Sequence, residues 1–177
     1  MQVLKFGGSS VGSAEAINKV IAIVKERSKK EPTIVVVSAM SGMTDQLLML
    51  AQSASQGNEA YKTIIQHIEQ KHLDAVRALL PIQQQSGTLS LVKQLLNELE
   101  SNCEGLFMLR ELSMRMQDKI ISYGEILSSK IISAAFENNK HKVLSYQIAS
   151  VIFWSVLLFG LKGLCNSDLS KEIHVNK

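Results

Sequence analysis

The start of the chain does most to limit how it can fold. A short apolar run, Gln2 to Phe6, enters Gly7 and Gly8, then Ser9 and Ser10, and a helical pattern follows almost at once. Ser13 is placed to cap that helix, with Glu15 in its first turn, where the helix dipole favours an anion. Ala14, Ile17, Val20, Ile21 and Val24 recur at helical spacing and form one apolar stripe. Residues 25–30 are its polar end, and Pro32 marks the break. Thr33 to Val37 is then a continuous β-branched run, which suits a parallel strand covered on both faces. Strand, helix and strand within the first 37 residues make one βαβ unit with a right-handed crossover. The class is α/β.

The first turn of that unit also has chemistry in it. Glycines between a strand and a helix let backbone N–H groups approach a phosphate closely, and the helix start adds a favourable dipole. Lys5, just before them, adds a mobile point charge. The Walker pattern needs a lysine after its last glycine, whereas Lys5 precedes Gly7 and Gly8. Gly7, Gly8 and Gly12 do not give the dinucleotide spacing either. An ordinary strand–helix turn is the simpler alternative. The string Lys-Phe-Gly-Gly-Ser-Ser favours the phosphate.

Three segments then agree in kind and order. Residues 5–11 (Lys-Phe-Gly-Gly-Ser-Ser-Val), residues 35–44 (Val-Val-Val-Ser-Ala-Met-Ser-Gly-Met-Thr) and residues 122–129 (Ser-Tyr-Gly-Glu-Ile-Leu-Ser-Ser) together resemble the aspartate kinases of the amino-acid kinase family. The resemblance implies a three-layer αβα fold with a mostly parallel sheet and a long helical insertion between strands 2 and 3. It implies transfer of the ATP γ-phosphoryl group to the β-carboxylate of L-aspartate, with Mg2+ held mainly through the ATP phosphates. Lys5 would be catalytic, and Lys5, Phe6, Gly7, Gly8 and Ser9 would hold the nucleotide phosphates. Ser38, Thr44 and Glu125 would place aspartate, Glu125 against its ammonium group. The family occurs as a stand-alone kinase or fused to homoserine dehydrogenase, and intact members are expected to be homo-oligomers. Kinases of glutamate or uridylate are the nearest alternatives.

Ser38, Ser41, Gly42 and Thr44 also have a reading of their own. Ligands in open α/β sheets bind at the carboxyl ends of the strands, and hydroxyls with free N–H groups there suit a carboxylate. Plain N-capping by Ser41 or Thr44 is compatible with that use. Glu125, taken alone, would be a surface charge.

From Met43 onward the pattern stays helical for most of the next hundred residues. One helix runs to the breaker cluster at residues 53–57, and a second, from Tyr61 to Leu80, is stopped by Pro81. Residues 83–88 read as a polar connection, after which Leu91, Leu95, Leu99 and Leu106 repeat helically and the pattern continues over residues 109–117. The scattered methionines read as core filling. His67 and His72 are five residues apart and point to different faces, so no metal site is expected.

The 177 residues allow one domain with a real core. A net charge of +3, with lysines often beside glutamates and aromatics at 5%, excludes a nucleic-acid stripe. Two distant cysteines imply neither disulfide nor zinc, and with no signal-peptide pattern the expected compartment is the cytoplasm. Residues 1–145 are expected to be the amino-terminal lobe of the kinase domain. Residues 146–177 depart from the family, with no charge between Lys142 and Lys162. That interval is close to the ~20 residues a membrane helix needs. A frameshifted or misassembled tail, a buried apolar segment and a membrane anchor compete, and the abrupt end of the likeness favours the first. On this reading the isolated chain is inactive. The rival is a non-catalytic truncated protein, a binding module or one attached to a membrane through residues 148–161.

Overall fold

A computed structural model describes residues 1–139 and the short strand at residues 174–175. Strand β1 (Gln2–Phe6) lies between β2 (Thr33–Val37) and β3 (His174–Val175), and both pairings are parallel. The register sets Gln2 opposite Thr33 and Phe6 opposite Val37, with Gln2 opposite His174 on the other side. The anticipated βαβ unit is present. Helix α1 (Ala14–Ser28) buries Ile17, Val20, Ile21 and Val24, and the Ser13 hydroxyl caps it by accepting the Ala16 N–H at 3.2 Å. Buried Gln2 ties the unit together: its side-chain amide donates to Thr33 Oγ1 at 3.0 Å and to the Arg27 carbonyl at 3.2 Å. Strand β2 is less covered than its β-branched composition suggests. Ile34 is 46% exposed, and among the described residues β2 is an edge strand.

Among the described residues four helices follow β2: α2 (Met43–Ser55), α3 (Tyr61–Leu79), α4 (Ile82–Leu109) and α5 (Met114–Asn138). Helix α2 packs against the other three, and α4 packs against both α3 and α5. Leu47, Leu50, Ile68, Val76, Leu99, Ile120, Leu127 and Ile131 are fully buried between them. Tyr61 and Phe107 meet in a tilted ring pair, centroids 5.4 Å apart.

Two expected boundaries differ from the observed ones. Residues 83–88 are the first turns of α4, not a connection. Glutamine favours a helix nearly as well as lysine does, so polarity alone does not break one. Gln85 also has a task there: its side-chain amide donates to the Leu80 carbonyl at 2.8 Å and the Arg77 carbonyl at 3.2 Å, closing the end of α3. Pro81 occupies the N-cap of α4, where its fixed φ costs nothing. At the other end, the helical pattern over residues 109–117 is cut. Arg110 turns left-handed (φ 54°) after α4, and the Ser113 hydroxyl caps α5 by accepting the Met116 N–H at 3.2 Å.

Among the described residues no helix is long and apolar enough to cross a membrane. The apolar run at residues 148–161, and with it the anchor reading, lies outside the described residues.

Candidate functional site

The carboxyl ends of β1 and β2 carry the three motif segments to one place. After Phe6, Gly7 stays extended (φ −75°, ψ 173°) and begins a single 3-10 turn over Gly8–Val11, in which the Ser10 N–H donates to the Gly7 carbonyl at 2.9 Å. Lys5 is exposed on β1 opposite Val36, and Ser9 is exposed on the turn. Among the described residues, a side chain on Gly7 would meet nothing within 4 Å, which leaves its backbone open to a ligand on that side. Gly8 is different. A Cβ there would lie 3.0 Å from the Ala39 carbonyl oxygen, so the absence of a side chain lets the turn lie against the loop after β2. Phe6, Ser9 and Ser10, with Lys19, Val20 and Ile23 of α1, line an open cleft of about 360 Å³ beside the turn.

That second loop, residues 38–42, is fixed from several directions. The Ser38 N–H donates to the Phe6 carbonyl at 3.1 Å, extending the β1–β2 ladder by one bond. The Ser38 carbonyl accepts from the Ser128 hydroxyl of α5 at 2.8 Å. Ala39 and Met40 are buried, and the Met43 N–H closes a turn on the Met40 carbonyl at 2.9 Å. Gly42 is the N-cap of α2 in the left-handed conformation, φ 76°, and no side chain caps the helix. Capping by Ser41 or Thr44, compatible with the sequence, is therefore not used. Thr44 sits half-buried in the first turn of α2.

Helix α5 delivers Glu125 to the same loop. Gly124 makes the approach feasible: a Cβ there would fall 2.8 Å from Ala39 Cβ and 3.1 Å from Leu47 Cδ1. The backbone N–H groups of Glu125 itself and of Ala39 lie near the half-buried Glu125 carboxylate and favour its ionised form. Burial is the larger effect and raises its pKa above the ordinary glutamate value. The result is an acid held against the carboxyl end of β2.

Ser38, Ala39 and Glu125 thus converge, and Gly8 presses on the same loop. Lys5, Phe6, Gly7 and Ser9 occupy the neighbouring strand end and turn. The donor set suits an anion: an exposed ammonium, serine hydroxyls and the open backbone at Gly7. Among the described residues no cluster of three or more His, Cys, Asp or Glu could hold a metal. His67 is exposed and His72 is buried, in keeping with their expected separation onto two faces.

Two contacts were not legible in the sequence. Ser128 lies inside the third motif, yet a hydroxyl one turn beyond a glutamate gives no sign of its partner. Lys71 Nζ donates to the Ser41 carbonyl at 2.7 Å from α3, 30 residues away. Nothing local to Lys71 announces that contact.

Comparison with known proteins places this geometry. A profile described as the amino acid kinase family matches residues 1–175. Aspartokinase 1 of Arabidopsis thaliana, chloroplastic, is 31% identical over 85% of this chain, which spans 26% of that relative. The bifunctional aspartokinase/homoserine dehydrogenase of Buchnera aphidicola is 28% identical over 81% of the chain and 18% of the relative. Among solved structures, E. coli aspartokinase III in complex with aspartate and ADP superposes with a TM-score of 0.71 at 21% identity, covering 82% of this chain and 31% of that one. The same enzyme with lysine and aspartate gives 0.68 at 22% identity, over 80% of this chain and 30% of that one. The chain spans about a quarter of the length of the curated aspartokinases it matches. By its family match over nearly every residue, and by the fold it shares with these structures, this chain belongs to the amino acid kinase family.

Proposed function

We propose that this chain is the amino-terminal part of an aspartate kinase. The parent enzyme would transfer the γ-phosphoryl group of ATP to the β-carboxylate of L-aspartate, the entry step to the aspartate-derived amino acids. The observation that carries the reading is the convergence of Glu125 and Ser38 through the Ala39 N–H and the Ser128 hydroxyl, directly beside the Gly8 turn.

Each residue has a task that its chemistry suits. Phosphoryl transfer needs charge compensation and positioning more than covalent help. Lys5 stabilises the transferring group, while Phe6, Gly7, Gly8 and Ser9 shape the phosphate cradle. Ser38 and Thr44 place the carboxylates of aspartate, and Glu125 takes its ammonium. That ammonium would offset the cost of ionising a half-buried acid, which explains why an acid with a raised pKa stands there. Bound magnesium would supply further charge neutralisation, held mainly through the nucleotide phosphates.

The wider expectations belong to the same reading: residues 1–145 as one lobe of a three-layer αβα domain, residues 146–177 as a divergent tail, a cytoplasmic location and a homo-oligomeric parent. The E. coli aspartokinase III complex with aspartate and ADP supports the choice of ligands. The 177 residues are expected to bind L-aspartate in preference to L-glutamate or uridylate without turning it over. In a full-length relative, alanine in place of the lysine that matches Lys5 should abolish turnover. Undiminished turnover in that variant would remove the role given to Lys5.

A further inference from the structure

We propose that Lys71, on α3, is a positioning residue for the acceptor loop: it fixes the Ser41–Gly42 peptide and so sets how the start of α2 meets the acceptor. The inference rests on the reading of residues 38–44 as the acceptor site.

Ser41 is gripped from two sides. On one, Gly12 at the end of the 3-10 turn leaves room for it: a Cβ there would lie 2.9 Å from Ser41 Cβ. On the other, Lys71 Nζ donates to the Ser41 carbonyl at 2.7 Å, a short, charge-assisted bond. The next residue has little steric restraint of its own. Gly42 holds φ 76°, and among the described residues nothing lies within 4 Å of where its Cβ would be and no side chain caps α2. A glycine flanking a peptide allows that peptide to rotate at low cost. Because the peptide is planar, holding the Ser41 oxygen also holds the Gly42 N–H on the opposite edge. Lys71 therefore selects one orientation of a peptide that local sterics leave open.

The lysine is well placed to do this. Its neighbours Ile68 and His72 are fully buried, so the stem rises from a rigid part of α3. The acid three residues ahead, Asp74, is bonded to Gln70 at 2.7 Å and to Arg77 at 2.9 Å. Lys71 reaches instead across 30 residues to a backbone carbonyl. A lysine serving only solvation would leave the loop unchanged on removal, and that contrast makes the proposal testable.

Lys71→Met keeps the stem and removes the donor, whereas Lys71→Arg keeps charge and donors. Two readouts follow in the full chain: amide hydrogen exchange at residues 42–44, and calorimetric affinity for L-aspartate. Loss of a hydrogen bond from a charged donor should speed exchange there, and weaken aspartate, by about tenfold in Lys71→Met. Lys71→Arg should restore most of both, with exchange in α4 and α5 unchanged throughout. Unchanged exchange at residues 42–44 in Lys71→Met overturns the proposal, as does faster exchange with undiminished aspartate affinity. If the unaltered chain binds no aspartate, the acceptor reading itself fails. The exchange comparison then decides on its own whether Lys71 holds the loop.

Discussion

The Ser128 hydroxyl donates to the Ser38 carbonyl at 2.8 Å, across 90 residues of sequence, and shares its proton with the Glu125 carbonyl at 3.1 Å. This bond joins the strand end that is read as the acceptor site to the helix that brings Glu125. Ser128 is almost wholly buried, so the carbonyl it serves has little access to water. Ser128→Ala should cost about 1–2 kcal/mol of stability, the range for leaving a buried acceptor unpaired. Chemical denaturation checks it. A change within error would show that the loop finds another partner.

Gly124 and Gly87 should respond oppositely to alanine. Both lie in helices, where the change from glycine gains up to about 1 kcal/mol of helix propensity. At Gly87, in α4, nothing lies within 4 Å of the added methyl, so the full gain should appear as a higher melting temperature. At Gly124 the methyl would meet Ala39 Cβ at 2.8 Å and Leu47 at 3.1 Å, and overpacking of this kind costs about 1–3 kcal/mol. Gly124→Ala should therefore destabilise the fold. It should also displace the Ala39 N–H from Glu125 and weaken aspartate binding.

Glu125 gives a pH dependence with a definite sign. Burial raises its folded pKa above the ordinary glutamate value of 4.5, so the folded state binds a proton more tightly than the unfolded chain. Its contribution to stability is present below 4.5 and lost as pH rises through the raised pKa. Glu125→Gln should therefore be the more stable protein at pH 7, and the advantage should shrink toward pH 4. Saturating L-aspartate should reverse the order at neutral pH, because its ammonium stabilises the ionised acid. Thermal melts at both pH values, with and without ligand, decide the point.

His72 has the opposite sign. It is fully buried, its Nδ1–H donates to the Ile68 carbonyl at 2.7 Å, and Nε2 has no partner among the described residues. Desolvation lowers its pKa below 6.5. A depressed folded pKa gives stability that is full above 6.5 and lost as pH falls through that value toward the folded pKa. His72→Leu should flatten the stability profile between pH 7 and pH 5. An unchanged slope would assign the acid sensitivity to other groups.

The sequence revealed the parts that local rules control. The α1 stripe, the Ser13 cap and the parallel pair β1–β2 follow from periodicity, cap chemistry and β-branched composition, and all are present. The helix boundaries near residues 83–88 and 110–113 did not follow. Gln85 acts on the preceding helix and Arg110 adopts a left-handed cap, and neither act leaves a compositional mark. For the site, the motif order pointed to residues that do converge, Ser38 and Glu125 among them. What joins them was hidden. A hydroxyl, a glycine and a lysine from other elements make contacts set by helix packing, which no window of sequence contains.

Recognition of an amino-acid acceptor by Ser38, Thr44 and Glu125, as proposed, is tested most sharply by removing one ammonium group from the ligand. Calorimetric titration would compare L-aspartate with succinate, which has the two carboxylates without the ammonium, in the unaltered chain and in Glu125→Gln. The unaltered chain should prefer L-aspartate by about tenfold or more, the order of one charged hydrogen-bonded contact, and Glu125→Gln should erase the preference. The same preference in both proteins, or no aspartate binding by the folded chain, would contradict it.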